Sequence, residues 1–390
     1  MEFSQRTSRI SVSSTLAVVQ KATQLKASGI NVVDFGAGEP DFPTPENIKN
    51  AAIAAIHGNF TKYTPTSGIK ELKEAIVERH AKDFGSKYTI EECLVTVGGK
   101  QAVFEAVAAT IDHGDEVILP VPYWVSYLDI VNYAGGKVVP LLTREEDNFE
   151  LRASEVEKLI TPKTRMIIVN SPNNPTGAVV PPAEMEKLLA LAVQHNILLM
   201  SDECYCQFLY EGQKPFSLGH SGNRENLIIT GSLSKTYAMT GWRVGFALGA
   251  KKLLSHMLNL QSHSTSNTTS ISQKAAVEAL RGPQDSVQVM LAEYQRRRDR
   301  IVAGLRAIPG IKCAMPAGAF YVYPNIGAYL KRNGVADCQA LVDKLLDKAH
   351  VAVVPGPGFG TEEHIRISYA TSMENIEEGL QRMKKFFAEL

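Results

Sequence analysis

Long apolar runs are missing from this 390-residue chain. No stretch of 18 consecutive apolar residues occurs, so no helix has the length and character needed to span a bilayer. The opening residues, MEFSQRTSRISVSS, lack the apolar centre of a secretory signal, and a cytoplasmic location is expected. Net charge is missing too. Lys and Arg total 41, as do Asp and Glu, which leaves no basic excess to attract nucleic acid or an acidic membrane. The one basic cluster, QRRRDR at 295–300, is interrupted by Asp299 within a helical pattern and reads as a solvated face. Cysteine is scarce: five residues, an odd number, scattered at 93, 204, 206, 313 and 338, argue against a disulfide framework. Cys204 and Cys206 form a C-x-C with no second cysteine pair or histidine cluster to complete a metal site. HExxH is absent as well, and no metal is expected. Internal repeats and low-complexity tracts are also lacking.

What remains has ordinary globular composition, 44% hydrophobic and 21% charged, at a length that implies two domains or one large domain with a lobe. Short apolar runs of β type, LVTV (94–97), VILP (117–120), MIIVN (166–170), ILLMS (197–201), LIITG (227–231) and VGFALG (244–249), alternate with helical patterns such as 100–111 and 182–195. That alternation predicts an α/β fold: a large domain with a mostly parallel sheet covered by helices on both faces. After a long helical pattern at 284–307 the texture changes. Short strands at 320–324 and 351–355 and amphipathic helices near 336–349 and 373–389 predict a smaller α+β domain.

Ligands in parallel sheets bind beyond the carboxyl ends of the strands, so the polar residues that follow each strand matter most. After LVTV comes Gly98-Gly99-Lys100-Gln101, opening a helix. The glycines admit an anion to backbone N–H groups, or simply satisfy a tight turn. It is not a Walker A loop, because Leu94 stands where the first glycine is needed. After VILP come Tyr123 and Trp124, which are core aromatics or a stacking platform for a flat ring. SPNNPTG (171–177) makes a rigid turn presenting side-chain amides. Asp202 ends ILLMS, either as a helix cap or as a buried carboxylate that demands a partner. Finally, GSLSKTYAMTGWRVGFALG (231–249) gathers Ser232, Ser234 and Arg243, a match to a phosphate dianion. Lys235 beside them is a fourth phosphate contact or, with its pKa lowered by burial and nearby cations, the amine of an imine to a carbonyl cofactor. Together these groups ask for a ligand with a phosphate, a flat ring, a group that wants a carboxylate, an oxygen that wants donors, and an aldehyde. Pyridoxal 5′-phosphate has all five.

The ordered motifs AGEPDFPTP (37–45), TKYTPTSG (61–68), VTVGGKQA (95–102), PYWVSY (122–127), NSPNNPTGAV (170–179), SLSK (232–235), MTGWRVG (239–245), GAFYV (318–322), VVPG (353–356) and RISYATS (366–372) run nearly end to end. In these the chain resembles the class I, fold-type I pyridoxal-phosphate aminotransferases, most closely the bacterial Ib aspartate aminotransferase branch. The resemblance implies an N-terminal arm over 1–12, a small domain from 13–44 and 309–390, and a large cofactor-binding domain over 45–308. It implies that Lys235 holds the cofactor and shuttles protons, that Asp202 keeps the pyridine nitrogen protonated, and that Tyr205 and Asn174 donate to the ring oxygen. Trp124 would stack on the ring. Gly99, Lys100, Gln101, Ser232, Ser234 and Arg243 would hold the phosphate side, joined by Tyr63 from a partner subunit, which makes a homodimer with shared active sites the expected assembly. Arg366 would clamp the substrate α-carboxylate, helped by Asn174 and the backbone at Gly38.

The implied reaction moves the amino group of aspartate to 2-oxoglutarate in two half-reactions. A partner-subunit arginine for the distal carboxylate has no matching position here. In the Ib branch that job falls to a lysine in the GGK turn and a mobile N-terminal segment, and Lys100 with Ser13 and Thr15 fits the pattern. The alternatives are a broader or prephenate-accepting specificity, with which Lys100 and Thr64 are compatible, and a β-eliminating lyase on the same fold. One departure is local: Cys204 and Cys206 flank Tyr205 where relatives usually carry aliphatic or acidic residues, and packing is the expected reason. VPGPGFG (354–360) is a tight turn, since no helix opens on it as a dinucleotide site requires.

Overall fold

A computed structural model describes residues 3–11, 14–332 and 334–390. Its strands in chain order are β1 (Val33–Asp34), β2 (Cys93–Thr96), β3 (Glu116–Val121), β4 (Lys137–Leu142), β5 (Thr164–Asn170) and β6 (Leu198–Asp202). Then follow β7 (Leu227–Ser232), β8 (Gly245–Leu248), β9 (Tyr321–Val322), β10 (Val351–Ala352), β11 (Val354–Pro355) and β12 (Ile365–Ser368). Seven of them form one sheet in the order β2-β8-β7-β6-β5-β3-β4. All its pairings are parallel except those of β8, which runs antiparallel to both β2 and β7. The interior strands β5, β6 and β7 are buried almost throughout, as continuous Ile, Leu, Val and Met runs require when helices cover both faces.

Six of the seven strands coincide with the apolar runs read from the sequence. The seventh, β4, was not legible there. Its KVVPLL is half-exposed and carries Pro140, which an edge strand tolerates and an interior strand does not. The helix Pro182–His195 begins with proline in its first turn and stops at Asn196 in the left-handed region. The helix Gly99–Thr110 opens directly on the two glycines after β2.

The remaining strands make two small sheets, β1 paired parallel with β10, and β11-β12-β9 antiparallel. Residues from both ends of the chain therefore meet in one structure. The 22-residue helix Asp285–Arg306 shares its core with the C-terminal helix Met373–Ala388, through Val302 and Leu305 on one and Leu380 and Met383 on the other. VPGPGFG is a short 3-10 turn, Gly356–Phe359, closed by Gly360 at φ +92°.

Register sets the site. Asn170 at the tip of β5 lies beside Asp202 at the tip of β6, and Asp202 lies beside Thr230, two residues before the tip of β7 at Ser232. On the small sheet Ser368 faces Tyr321, which makes Arg366 and Tyr321 diagonal neighbours. The two regions are tied at Gly177, the end of the NNPTG turn. Its carbonyl accepts from the N–H groups of Ala317 and Gly318 at 3.0 and 2.9 Å. Gly177 has φ +69°, and a Cβ there would stand 2.5 Å from Pro316 Cβ and 2.7 Å from Gly318 O. Gly177→Ala should therefore lower stability by about 2–4 kcal/mol, combining left-handed strain with overpacking. Urea unfolding checks this, and a midpoint equal to the parent's would show that the turn can shift without loss.

Candidate active site

The strand tips, the helix N-terminus and the small sheet enclose a cavity of about 310 Å³. Among its lining residues are Gly38, Gly99, Lys100, Trp124, Asn174, Asp202, Tyr205, Ser232, Ser234, Lys235, Arg243 and Arg366. Sequence reasoning named all twelve. The cavity wall also contains Tyr127, Asn170 and Tyr321, which it did not single out.

Asp202 lies at the base. Its carboxylate accepts from Tyr127 Oη at 2.6 Å and from the Cys204 N–H at 3.0 Å. Burial pushes this carboxyl up to about 6, against the pull of those two donors, and the neighbouring Glu203 charge adds to the rise. Among the described residues no cation forms an ion pair with it. Asn170 braces the same corner, donating from Nδ2 to Asp202 O at 3.1 Å and accepting the Asn174 N–H on Oδ1 at 2.8 Å.

At one end the donors gather. Gly98 caps the helix Gly99–Thr110 at φ +79°, and a Cβ there would run into the Arg243 guanidinium, so glycine is what lets that cation lie over the turn. Arg243 is itself held at φ +55°, with Nη1 donating to Thr240 O at 2.9 Å. Ser232 caps the one-turn helix Leu233–Thr236 by accepting the Ser234 N–H at 3.1 Å. Two hydroxyls, a guanidinium and a helix N-terminus thus converge.

Lys235 stands between the ends, its Nζ donating to Gly38 O at 2.5 Å. Burial holds its pKa below the ordinary lysine value, and the positive charges of Arg366 and Arg243 act in the same direction, while Cys204 and Glu39 oppose them. At the far end Arg366 is buried. Its Nη1 donates to Asn174 Oδ1 at 3.1 Å and its Nη2 to Gly36 O at 2.8 Å. Its Nε is buried and has no hydrogen-bond partner among the described residues. Lys100 sits 5.0 Å over the Trp124 ring, and desolvation and the Arg243 charge lower its pKa.

Two expected residues, Gln101 and Tyr63, lie elsewhere. Gln101 is absent from the wall, its side-chain amide donating instead to Glu105 Oε1 at 2.6 Å. Tyr63 is 93% exposed and away from the cavity of its own chain. Ser13 lies outside the described residues, as does the side chain of Thr15, while nearby Ser11 bonds Asp129 through its N–H and hydroxyl. The two cysteines point to opposite sides of the chain. Cys204 lines the main cavity and Cys206 a small separate pocket, and burial pushes the Cys204 thiol up to about 12. That disfavours the reactive thiolate.

This arrangement fits pyridoxal phosphate on its own terms. A buried carboxylate without a cation matches a protonated ring nitrogen, a depressed lysine matches an aldehyde, and the donor cluster matches a phosphate. Residues 30–383 match the family model for class I and II aminotransferases, and the chain belongs to that family. It is a pyridoxal-phosphate-dependent transaminase of fold type I. The aspartate aminotransferase of Bacillus subtilis is 41% identical, with 99% of each chain covered. The aspartate/prephenate aminotransferase of Thermus thermophilus is 43% identical over 98% of each. A solved structure of Thermus thermophilus aspartate aminotransferase with maleate superposes with a TM-score of 0.94 at 43% identity, covering 99% of both chains.

The Asp202 environment has a measurable consequence. A carboxyl raised from about 3.9 in the unfolded chain contributes stability that is complete below that pH and lost as pH rises through the folded value near 6. Without cofactor, Asp202→Asn should match its parent near pH 4 and exceed it by about 2–3 kcal/mol above pH 6, while binding pyridoxal phosphate more weakly. Denaturant titrations across pH 4–8 measure the first effect; a pH-independent difference would contradict it.

Proposed function

We propose that this enzyme transfers the amino group of aspartate, or a similar acidic amino acid, to 2-oxoglutarate, as a homodimer. The observation that carries the reading is Lys235, a lysine of lowered pKa that lines one cavity with the buried carboxylate of Asp202 and the buried Arg366. When bound, pyridoxal phosphate supplies an aldehyde that captures amines and a ring that draws electrons away from the substrate Cα.

The chain's residues do the rest. Asp202 holds a proton on the ring nitrogen, with Tyr127 and the Cys204 N–H holding the carboxylate in place. Ser232, Ser234, Arg243 and the Gly99 turn would hold the phosphate, and Trp124 would stack on the ring. Tyr205 and Asn174 would donate to the ring oxygen. Asn174 offers its N–H₂ there, since its amide oxygen already accepts from Arg366. Lys235 Nζ removes the proton from the amino-acid Cα and returns one to the carbon of the incoming 2-oxo acid, a task suited to an amine whose pKa approaches the working pH. Arg366, fixed in plane by Gly36 and Asn174, takes the α-carboxylate.

In this reading 13–44 and 309–390 form the lobe that carries Gly38 and Arg366, and 45–308 the lobe that carries the cofactor groups. Lys100 takes the distal carboxylate. As a flexible point charge it accommodates acids of different length, which supports a second specificity, the prephenate activity named for several relatives. Tyr63, exposed on one chain, completes the phosphate site of its partner.

Lys235→Ala should lose nearly all turnover and the pH-dependent visible absorbance of the loaded protein; a yellow, active variant would sink the assignment. Lys100→Ala, run on a panel of amino donors and 2-oxo acids that includes prephenate, should weaken aspartate by about tenfold or more relative to aliphatic donors. Equal losses across the panel would confine Lys100 to the phosphate turn. Light scattering should give twice the mass of one chain, and a monomer that retains full activity would refute the shared site.

A further inference from the structure

Tyr321 is the one large polar side chain of the cavity wall to which the reading above gives no task. It is 1% exposed on β9, and three contacts define it. Its hydroxyl lies 2.8 Å from that of Tyr205. The Arg366 Cζ stands 4.7 Å from its ring centroid. A Cβ built on Gly38 would stand 2.8 Å from its Oη, so the hydroxyl rests against the same backbone whose carbonyl receives Lys235 Nζ.

Hydrogen counting gives the pair a direction. Each phenol carries a single hydrogen and can donate once. The 2.8 Å contact is satisfied either way round, but the two ways differ in consequence. If Tyr205 donates to Tyr321, it has nothing left to give to an anion in the cavity. If Tyr321 donates to Tyr205, the Tyr205 hydrogen is released toward the cavity, and the accepted bond polarises it into a stronger donor. We infer that Tyr321 is a positioning residue: its hydroxyl aims the Tyr205 hydrogen at the cofactor's ring oxygen, and its ring holds Arg366 flat for the substrate carboxylate. The inference rests on the proposed placement of that ring oxygen beside Tyr205.

A donor aimed at the ring oxygen draws off negative charge and loosens the proton held beside it. Weakening the donor therefore raises the pH midpoint of the visible absorbance change of the cofactor-loaded protein. Tyr205→Phe should raise this midpoint by about one unit and Tyr321→Phe by roughly half a unit. In a Tyr205→Phe background, Tyr321→Phe should move it no further, because its only route is through Tyr205. A parental midpoint in Tyr321→Phe, or the same shift in both backgrounds, would overturn the inference while leaving the cofactor placement intact. A parental midpoint in Tyr205→Phe would overturn both.

The ring is tested separately. Tyr321→Phe should keep KM for aspartate within about twofold, while Tyr321→Leu, which removes the face under Arg366, should raise it roughly fivefold or more. Tyr321→Met repeats the measurement if the leucine variant does not fold. An unchanged KM without an aromatic ring would remove the Arg366 half of the inference.

Discussion

A carboxylate buried at the end of the central strand is the constraint on which the rest of the site depends. Asp202 is 7% exposed, and an isolated anion in such a place is strongly disfavoured. Two donors, Tyr127 and the Cys204 N–H, are enough to orient it but leave its carboxyl raised to about 6. The protein thus carries a group that a protonated ring nitrogen would relieve. The same disadvantage that weakens the cofactor-free fold would become binding energy and electron withdrawal with such a ring in place.

The rest of the cavity follows from keeping charges apart along one axis. Arg243 lies over the helix N-terminus at Gly98, Arg366 is bonded to Asn174 and Gly36, and the charges of both act on Lys235. Two flanking cations and a desolvated position lower the lysine's pKa, and its bond to Gly38 O holds the amine in place while it waits for substrate. The same cations that would bind anions thus also lower the pKa of the lysine proposed as the base.

Much of this was legible in sequence because the large sheet is parallel. Its strands are continuous apolar runs, and the rule that ligands sit beyond their carboxyl ends turns the next few residues into a short list: Gly99, Lys100, Trp124, Asn174, Asp202, Ser232, Lys235. Tyr127 and Asn170 sit in stretches that the rule covers, and asking what hydrogen-bonds a buried aspartate would have found them. Tyr321 was not recoverable in that way. It lies in a two-residue strand of the small sheet, and its place beside Tyr205 depends on how that sheet docks. The edge strand β4 escaped for the opposite reason, since half-exposed strands carry no continuous apolar run. The partner of Gln101 was not legible in the motif. Gln101 occupies the expected turn, but its side-chain amide is drawn to Glu105, a carboxyl that burial raises to about 7.

The two cations proposed to receive the substrate's carboxylates are built on different physical plans, and this difference bears on specificity. Arg366 is held by Gly36 O, Asn174 Oδ1 and the aromatic faces of Tyr321 and Phe359, so its ordering entropy is spent in folding. Every amino acid presents the same α-carboxylate, and a rigid planar fork suits a group that never varies. Among the described residues Lys100 is anchored by its contact over Trp124, on a flexible stem near the Arg243 charge. An ammonium in that setting gains from any anion that reaches it and imposes little geometry on how the anion arrives. On the proposed roles, discrimination among acidic substrates would fall to the shape of the wall around Trp124, while the commitment to amino acids as a class would reside at Arg366.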